Sequence, residues 1–185
     1  MTDEEYKILK EQFTIVSDWL KYAESKNATL TAFNGAAIFG ILQSIDKIPS
    51  WFSAITVALL LVSTLITTFS FLPRLNNKFS TRKIPNQEFQ STKNNINHIF
   101  FGDIKKLDST QLSELLNERY QNMSFNHSDL GIYDWLNQII VNSEIAAIKH
   151  IAFVFAIRTS MLSIIVGIIY ISVRLIGYFD KIINN

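Results

Sequence analysis

One spacing in this chain is enzyme-like. His98 and Asp103 stand with four residues between them, directly after Asn97. A histidine oriented by a nearby carboxylate is one arrangement for general-base catalysis. A local role accounts for the same residues: Phe100 and Phe101 pack, Gly102 turns the chain and Asp103 bonds nearby. No glycine-rich phosphate loop, catalytic carboxylate pair or His-x3-His metal spacing accompanies them. The absence of cysteine removes thiol catalysis, thiolate metal sites and disulfides together. The expectation is therefore a protein that is not an enzyme, with no cofactor and no metal.

A second constellation could bind rather than react. Gln138, Asn142 and Lys149 lie 4 and 7 residues apart, so on a helix they fall within about 40° of one another. Two amides and an ammonium along one stripe could line a cleft, the amides reading a base or sugar and the lysine meeting a phosphate. A plain solvated stripe has the same spacing. The net charge of +1 argues against a nucleic-acid polymer as partner.

The elements that carry these residues are helices, several of them in lipid. Trp51 to Leu72 has no charge, proline or glycine and as a helix covers roughly 33 Å, enough for a hydrocarbon core of about 30 Å. Ala28 to Ile45 is a shorter uncharged run, joined to it by the Asp46–Ser50 turn. A third span is expected at 159–179, between Arg158 and Asp180, with Arg174 snorkelling near its outer end. Lys7, Lys10, Lys21 and Lys26 precede the first span, and Arg74, Lys78, Arg82, Lys83 and Lys93 follow the second. By the positive-inside rule the N-terminus and the 73–158 portion are cytoplasmic, and the 180–185 tail is external. The acidic start at residues 3–5 does not resemble a signal peptide.

Both helices expected to enter the membrane from the cytoplasm carry heptads. Leu9, Phe13, Val16, Leu20, Ala23, Asn27 and Leu30 alternate steps of 4 and 3, as do Ile132, Leu136, Ile139, Ser143, Ala146, His150, Phe153 and Ile157. These stripes serve either as seams of one small helical domain or as an intermolecular coiled coil. A capping box at Asp108–Gln111 opens a further helix expected to reach Met123. Asn27 and Asn34 share one face of the first helix, where polar groups specify helix pairing. Gly35, Ala36, Gly40, Ser63, Thr64, Thr67, Ser160, Ser163 and Gly167 form the expected helix-contact surface. The predicted fold is an all-α membrane protein. It has three transmembrane helices (28–45, 51–72, 159–179), and a cytoplasmic domain from 1–27 and 73–158 on helices continuous with the first and third spans.

Three blocks carry a wider likeness: Trp19 to Phe39, Asn97 to Leu107 (NHIFFGDIKKL) and Asp134 to Lys149 (DWLNQIIVNSEIAAIK). Through them the chain resembles the Pycsar transmembrane effectors, membrane proteins of pyrimidine-cyclase antiphage systems. The resemblance implies a bacterial inner-membrane protein and a partner cyclase that makes cUMP or cCMP on infection. Its cytoplasmic domain would bind that signal and the spans, as a homo-oligomer, would impair the bilayer and stop growth. On this likeness Lys26 and Lys149 are expected at the phosphate, with Gln138, Asn142 and Asp103 at base or ribose. The alternative is a constitutive membrane scaffold that binds a protein partner through its cytoplasmic helices.

Overall fold

The computed structural model describes residues 1–72, 83–121 and 123–183. Pro73, expected to close the second span, and Arg74, Lys78 and Arg82, counted toward orientation, lie outside the described residues. Among the described residues there are helices and no strands. Contacts divide the chain into two compact units, 1–24 with 73–150 and 25–72 with 151–185.

Helix α1 (Asp3–Gln43) runs through the boundary between them. Its start is fixed by a reciprocal cap: Thr2 N–H donates to Glu5 Oε2 at 2.6 Å, and Glu5 N–H donates to Thr2 Oγ1 at 3.2 Å. Acidic residues at 3–5 complement the positive end of the helix dipole. The helix stops at Gln43, before the expected Ile45, because the chain tightens into a 3-10 turn at Ile45–Lys47. Pro49 then precedes α2 (Ser50–Ser70).

In the first unit the heptad of α1 buries Leu9 and Val16 against Ile132, Leu136, Ile139 and Ile140 of α6 (Leu130–Ile183). Shorter helices close the core: α3 (Asn86–Thr92) supplies Phe89, α4 (Phe101–Ile104) supplies Ile104, and α5 (Ser109–Arg119) supplies Leu112, Leu115 and Leu116. The heptads therefore act as seams within this domain. The capping box forms as expected, with Gln111 N–H donating to Asp108 Oδ1 at 2.8 Å and Asp108 N–H donating to Gln111 Oε1 at 3.2 Å. Gln111 Nε2 also donates to Ile84 O and Asn86 Oδ1, so one residue fixes two helix entries. α5 ends at Arg119 rather than Met123 because Asn117 Oδ1 captures Phe125 N–H at 2.6 Å and turns the chain back. Gly102 and Asp103 lie inside the α4 turn, not in a free Gly-Asp turn.

The second unit packs α2 between the later halves of α1 and α6. Asn34 is fully buried; its Nδ2 donates to Ser63 Oγ at 2.8 Å and its Oδ1 accepts from Ser160 Oγ at 2.9 Å. Ser63 Oγ donates onward to Ala156 O at 2.7 Å, and the Thr31 and Thr67 hydroxyls meet at 2.7 Å. Phe52 stacks on Tyr170 with centroids 4.3 Å apart. Asn34 thus joins three helices, the pairing role expected of it. Ser63, Thr67, Ser160 and Ser163 are buried inside the chain. Gly35, Ala36 and Gly40 are exposed instead, so the expected contact surface is only partly filled. Among the described residues, two helical segments are long and apolar enough to cross a membrane: Ser50–Ser70, and Leu130–Asp180 of α6.

Candidate ligand site

Among the described residues of the first unit Lys149 is the buried cation, and the helix period explains why. Buried positions on α6 follow the expected seam through Ile139, Ser143 and Ala146, and then fall on Lys149 instead of His150. Two successive steps of three overwind the seam locally and move it one residue toward the N-terminus. The sequence-based assignment of His150 to the buried seam is corrected accordingly. Ala23 and Ala146, fully buried, leave room for the Lys149 stem to cross between the helices. Its ammonium donates to Glu24 Oε1 at 2.7 Å; the lysine side chain is 8% exposed and the glutamate 43%. One end of this ion pair is therefore dry and the other wet.

Asn142 is half-buried on the same stripe, about 10 Å along the axis from Lys149. Gln138 is exposed about 16 Å from Lys149 and lines a recess with Phe13, Asp134 and Trp135. Trp135 meets Phe13 edge-on at 5.4 Å and Tyr6 at 5.7 Å, giving that recess an aromatic wall. So Gln138, Asn142 and Lys149 do share one flank of the α1–α6 pair, as their spacing predicts. Their axial spread is longer than one cyclic mononucleotide.

The other expected ligands are placed differently. Asp103 is committed locally: Oδ2 accepts from Asn97 N–H at 3.2 Å and Oδ1 from Lys106 Nζ at 3.0 Å. Its neighbour Phe101 packs on His150 at 4.9 Å, about 100° around α6 from Lys149. Lys26 belongs to the second unit, where its ammonium lies 5.3 Å from the centre of the Phe153 ring. The His98–Asp103 pair is not assembled for base catalysis either. No hydrogen bond joins them among the described residues, and His98 stands edge-on to Tyr120 at 5.9 Å. Burial, aided by Arg119, holds the His98 pKa below its ordinary 6.5.

Sequence reasoning missed two features. Lys83 donates to Glu144 Oε1 at 2.6 Å and to Lys105 O at 3.2 Å, pinning the chain entering α3 onto α6. On the His150 flank, Trp19, Tyr22, Phe100, Phe101 and His150 form one aromatic cluster, with Trp19 and Tyr22 exposed. A Cβ on Gly102 would come within 2.4 Å of the Phe100 ring, so glycine there lets that ring lie over the turn. The Trp19-x2-Tyr22 spacing on α1 was the available signal.

A model of the Pycsar effector protein domain matches residues 8–176. The chain belongs to that family. No curated protein and no solved structure matches it. Family membership with two apolar spans makes this a membrane effector of a Pycsar antiphage system. It also implies a cyclic-nucleotide signal supplied by a cyclase. The matched region covers both flanks described above and nearly all of the second unit.

Proposed function

We propose that this Pycsar effector binds a cyclic pyrimidine mononucleotide, cUMP or cCMP, at the Lys149 flank of its first unit, and then impairs the inner membrane to arrest growth. The observation that carries the reading is the asymmetric ion pair. A dry ammonium is held by a half-wet carboxylate, which an incoming phosphate can replace without leaving the lysine uncompensated. Lys149 then takes the phosphate and Asn142, one nucleotide length away, reads the base edge. Gln138 lies at the far end of the same flank; Asp103 and Lys26 have no part in this arrangement. The chain acts as a receptor, not as an enzyme.

Three membrane segments fit the second unit best. The residues of α1 that bond to Ser63 and Thr67 share the depth of α2, which supports a first span over the later half of α1. The Ser63–Ala156 bond lies about 10 Å inside the Ser70 end of α2. On that depth the third span begins near Ile151, earlier than Thr159, and the Arg158 backbone lies about 10 Å inside it. Helical side chains lean toward the N-terminus, so the exposed Arg158 reaches back to the headgroups. Trp19 and Tyr22 suit the same interface, with the N-terminus cytoplasmic. The damaging state is taken to be a homo-oligomer.

Thermal unfolding of the detergent-solubilised protein with cUMP, cCMP, cAMP and cGMP at millimolar concentration tests the proposal. A ligand at about 100 times its Kd adds about 2.7 kcal/mol, and only a pyrimidine nucleotide is expected to do so. No shift with any of the four would leave a scaffold that binds a protein partner, whose expression has no reason to become toxic on co-expression of a cyclase.

A further inference from the structure

The second unit holds a groove of about 420 Å³ between α1 and α6. Its lining includes Lys26, Leu30, Phe33, Phe153, Ile157 and Ile164. Leu30 forms a buried floor, and the exposed Phe33 and Ile164 form the rims. Charge is confined to one end, where the Lys26 ammonium stands over Phe153. From Phe153 to Ile164 the groove extends about 16 Å along α6, close to half of a hydrocarbon core of about 30 Å. It is thus one leaflet deep, apolar along its length and cationic at its mouth.

We infer that this groove is a phospholipid site, holding one acyl chain along Leu30, Ile157 and Ile164 with the lipid phosphate at Lys26. An anionic amphiphile matches both the charge and the length of the groove, and a nucleotide matches neither its apolar floor nor its depth. The inference goes beyond signal binding but rests on placing the later half of α1 in lipid. A bound lipid would link the state of the α1–α6 pair to the anionic lipid content of the membrane.

Native mass spectrometry of the full chain with added dioleoyl phosphatidylglycerol or dioleoyl phosphatidylcholine tests it. The wild-type protein is expected to retain one phosphatidylglycerol in preference to phosphatidylcholine. K26S should lower phosphatidylglycerol retention about tenfold and leave phosphatidylcholine unchanged. Thr29 also lines the groove and is exposed, so T29W should block retention of both lipids without disturbing the core. Equal retention of the two lipids by the wild-type protein, or an undiminished preference in K26S, would overturn the assignment. Displacement of phosphatidylglycerol by inorganic phosphate at millimolar concentration would overturn it too, as would a dimer held through this face and lost in T29W. A cysteine at exposed Phe39, in a chain with no native cysteine, separates failure of the groove from failure of the span. Labelling of F39C by a membrane-impermeant maleimide would place α1 outside lipid, whereas protection with no lipid preference would sink the groove alone.

Discussion

If a phosphate replaces Glu24 at Lys149, removing the glutamate's charge must tighten nucleotide binding while weakening the fold. Glu24→Gln preserves shape and leaves an ammonium that is only 8% exposed without its carboxylate. Breaking a fully buried pair costs about 3–5 kcal/mol, and a surface pair is worth about 0.2–1 kcal/mol. With Glu24 43% exposed, water screens half of the interaction, so a loss of about 1–2 kcal/mol is expected. The same energy no longer opposes the ligand, so affinity for cUMP or cCMP should rise about five- to thirty-fold. Isothermal titration of the detergent-solubilised protein reads the affinity, and thermal unfolding without ligand reads the stability. Lys149→Met should abolish binding, while the Glu24→Gln/Lys149→Met double variant should be more stable than the sum of the single changes predicts. Unchanged affinity in Glu24→Gln together with retained binding in Lys149→Met would refute the reasoning, because the ligand would then meet neither partner.

Asn34→Leu removes two interhelical hydrogen bonds in the second unit. At about 0.6 kcal/mol each, and up to about 1.7, it should lower stability by about 1–3 kcal/mol in detergent unfolding, with helicity retained. Asp108→Ala deletes the cap of α5 and should cost about 1 kcal/mol, seen first as faster amide exchange at Gln111 and Leu112. Because the pKa of folded His98 lies below 6.5, the unfolded chain takes up the proton first. Stability is then full above pH 6.5 and falls as the pH drops toward the folded value. His98→Gln should flatten that part of the profile measured by thermal unfolding between pH 7.5 and 5.5. The Glu5 carboxylate, lowered mainly by the Thr2 N–H bond, adds a second loss only below its ordinary 4.5, which Glu5→Gln should remove.

Much of this architecture was legible because it depends on local chemistry. The charge-free run at 51–72 had to be helical in lipid, and the Asp108–Gln111 box needed only its own four residues. The early heptads held because Leu9, Val16, Ile132 and Leu136 have no competitor for the seam. What could not be read was the point where a periodic rule changes phase. Steps of 4 and 3 predict His150 in the seam, yet Lys149 is there. The decision rests on Glu24, 125 residues away, and on the small side chains at Ala23 and Ala146. Asp103 has the opposite character: its partners, Asn97 N–H and Lys106, are close in sequence, and the local reading of this carboxylate needed only its neighbours.

That phase change bears directly on how a ligand could act. A regular heptad continued to His150 would turn that imidazole, already half-buried beside Trp19, Tyr22 and Phe101, fully into the seam, and would leave Lys149 on a wet flank with nothing to exchange. The overwound step instead stores a cation between two helices that both run on past the edge of the first unit. A ligand shifts such an arrangement only by binding its two states unequally. The Glu24 pair supplies the inequality, since a phosphate gains Lys149 only where the glutamate has let go. In the proposed mechanism the resting state is thereby defined by an intrachain carboxylate and the active state by an external phosphate at the same nitrogen. Moving from a 1:99 to a 99:1 population requires about 5.5 kcal/mol of differential affinity, well above the about 1–2 kcal/mol assigned to the ion pair. The remainder must come from contacts made only in the bound state, and Asn142 is the group best placed to begin making them.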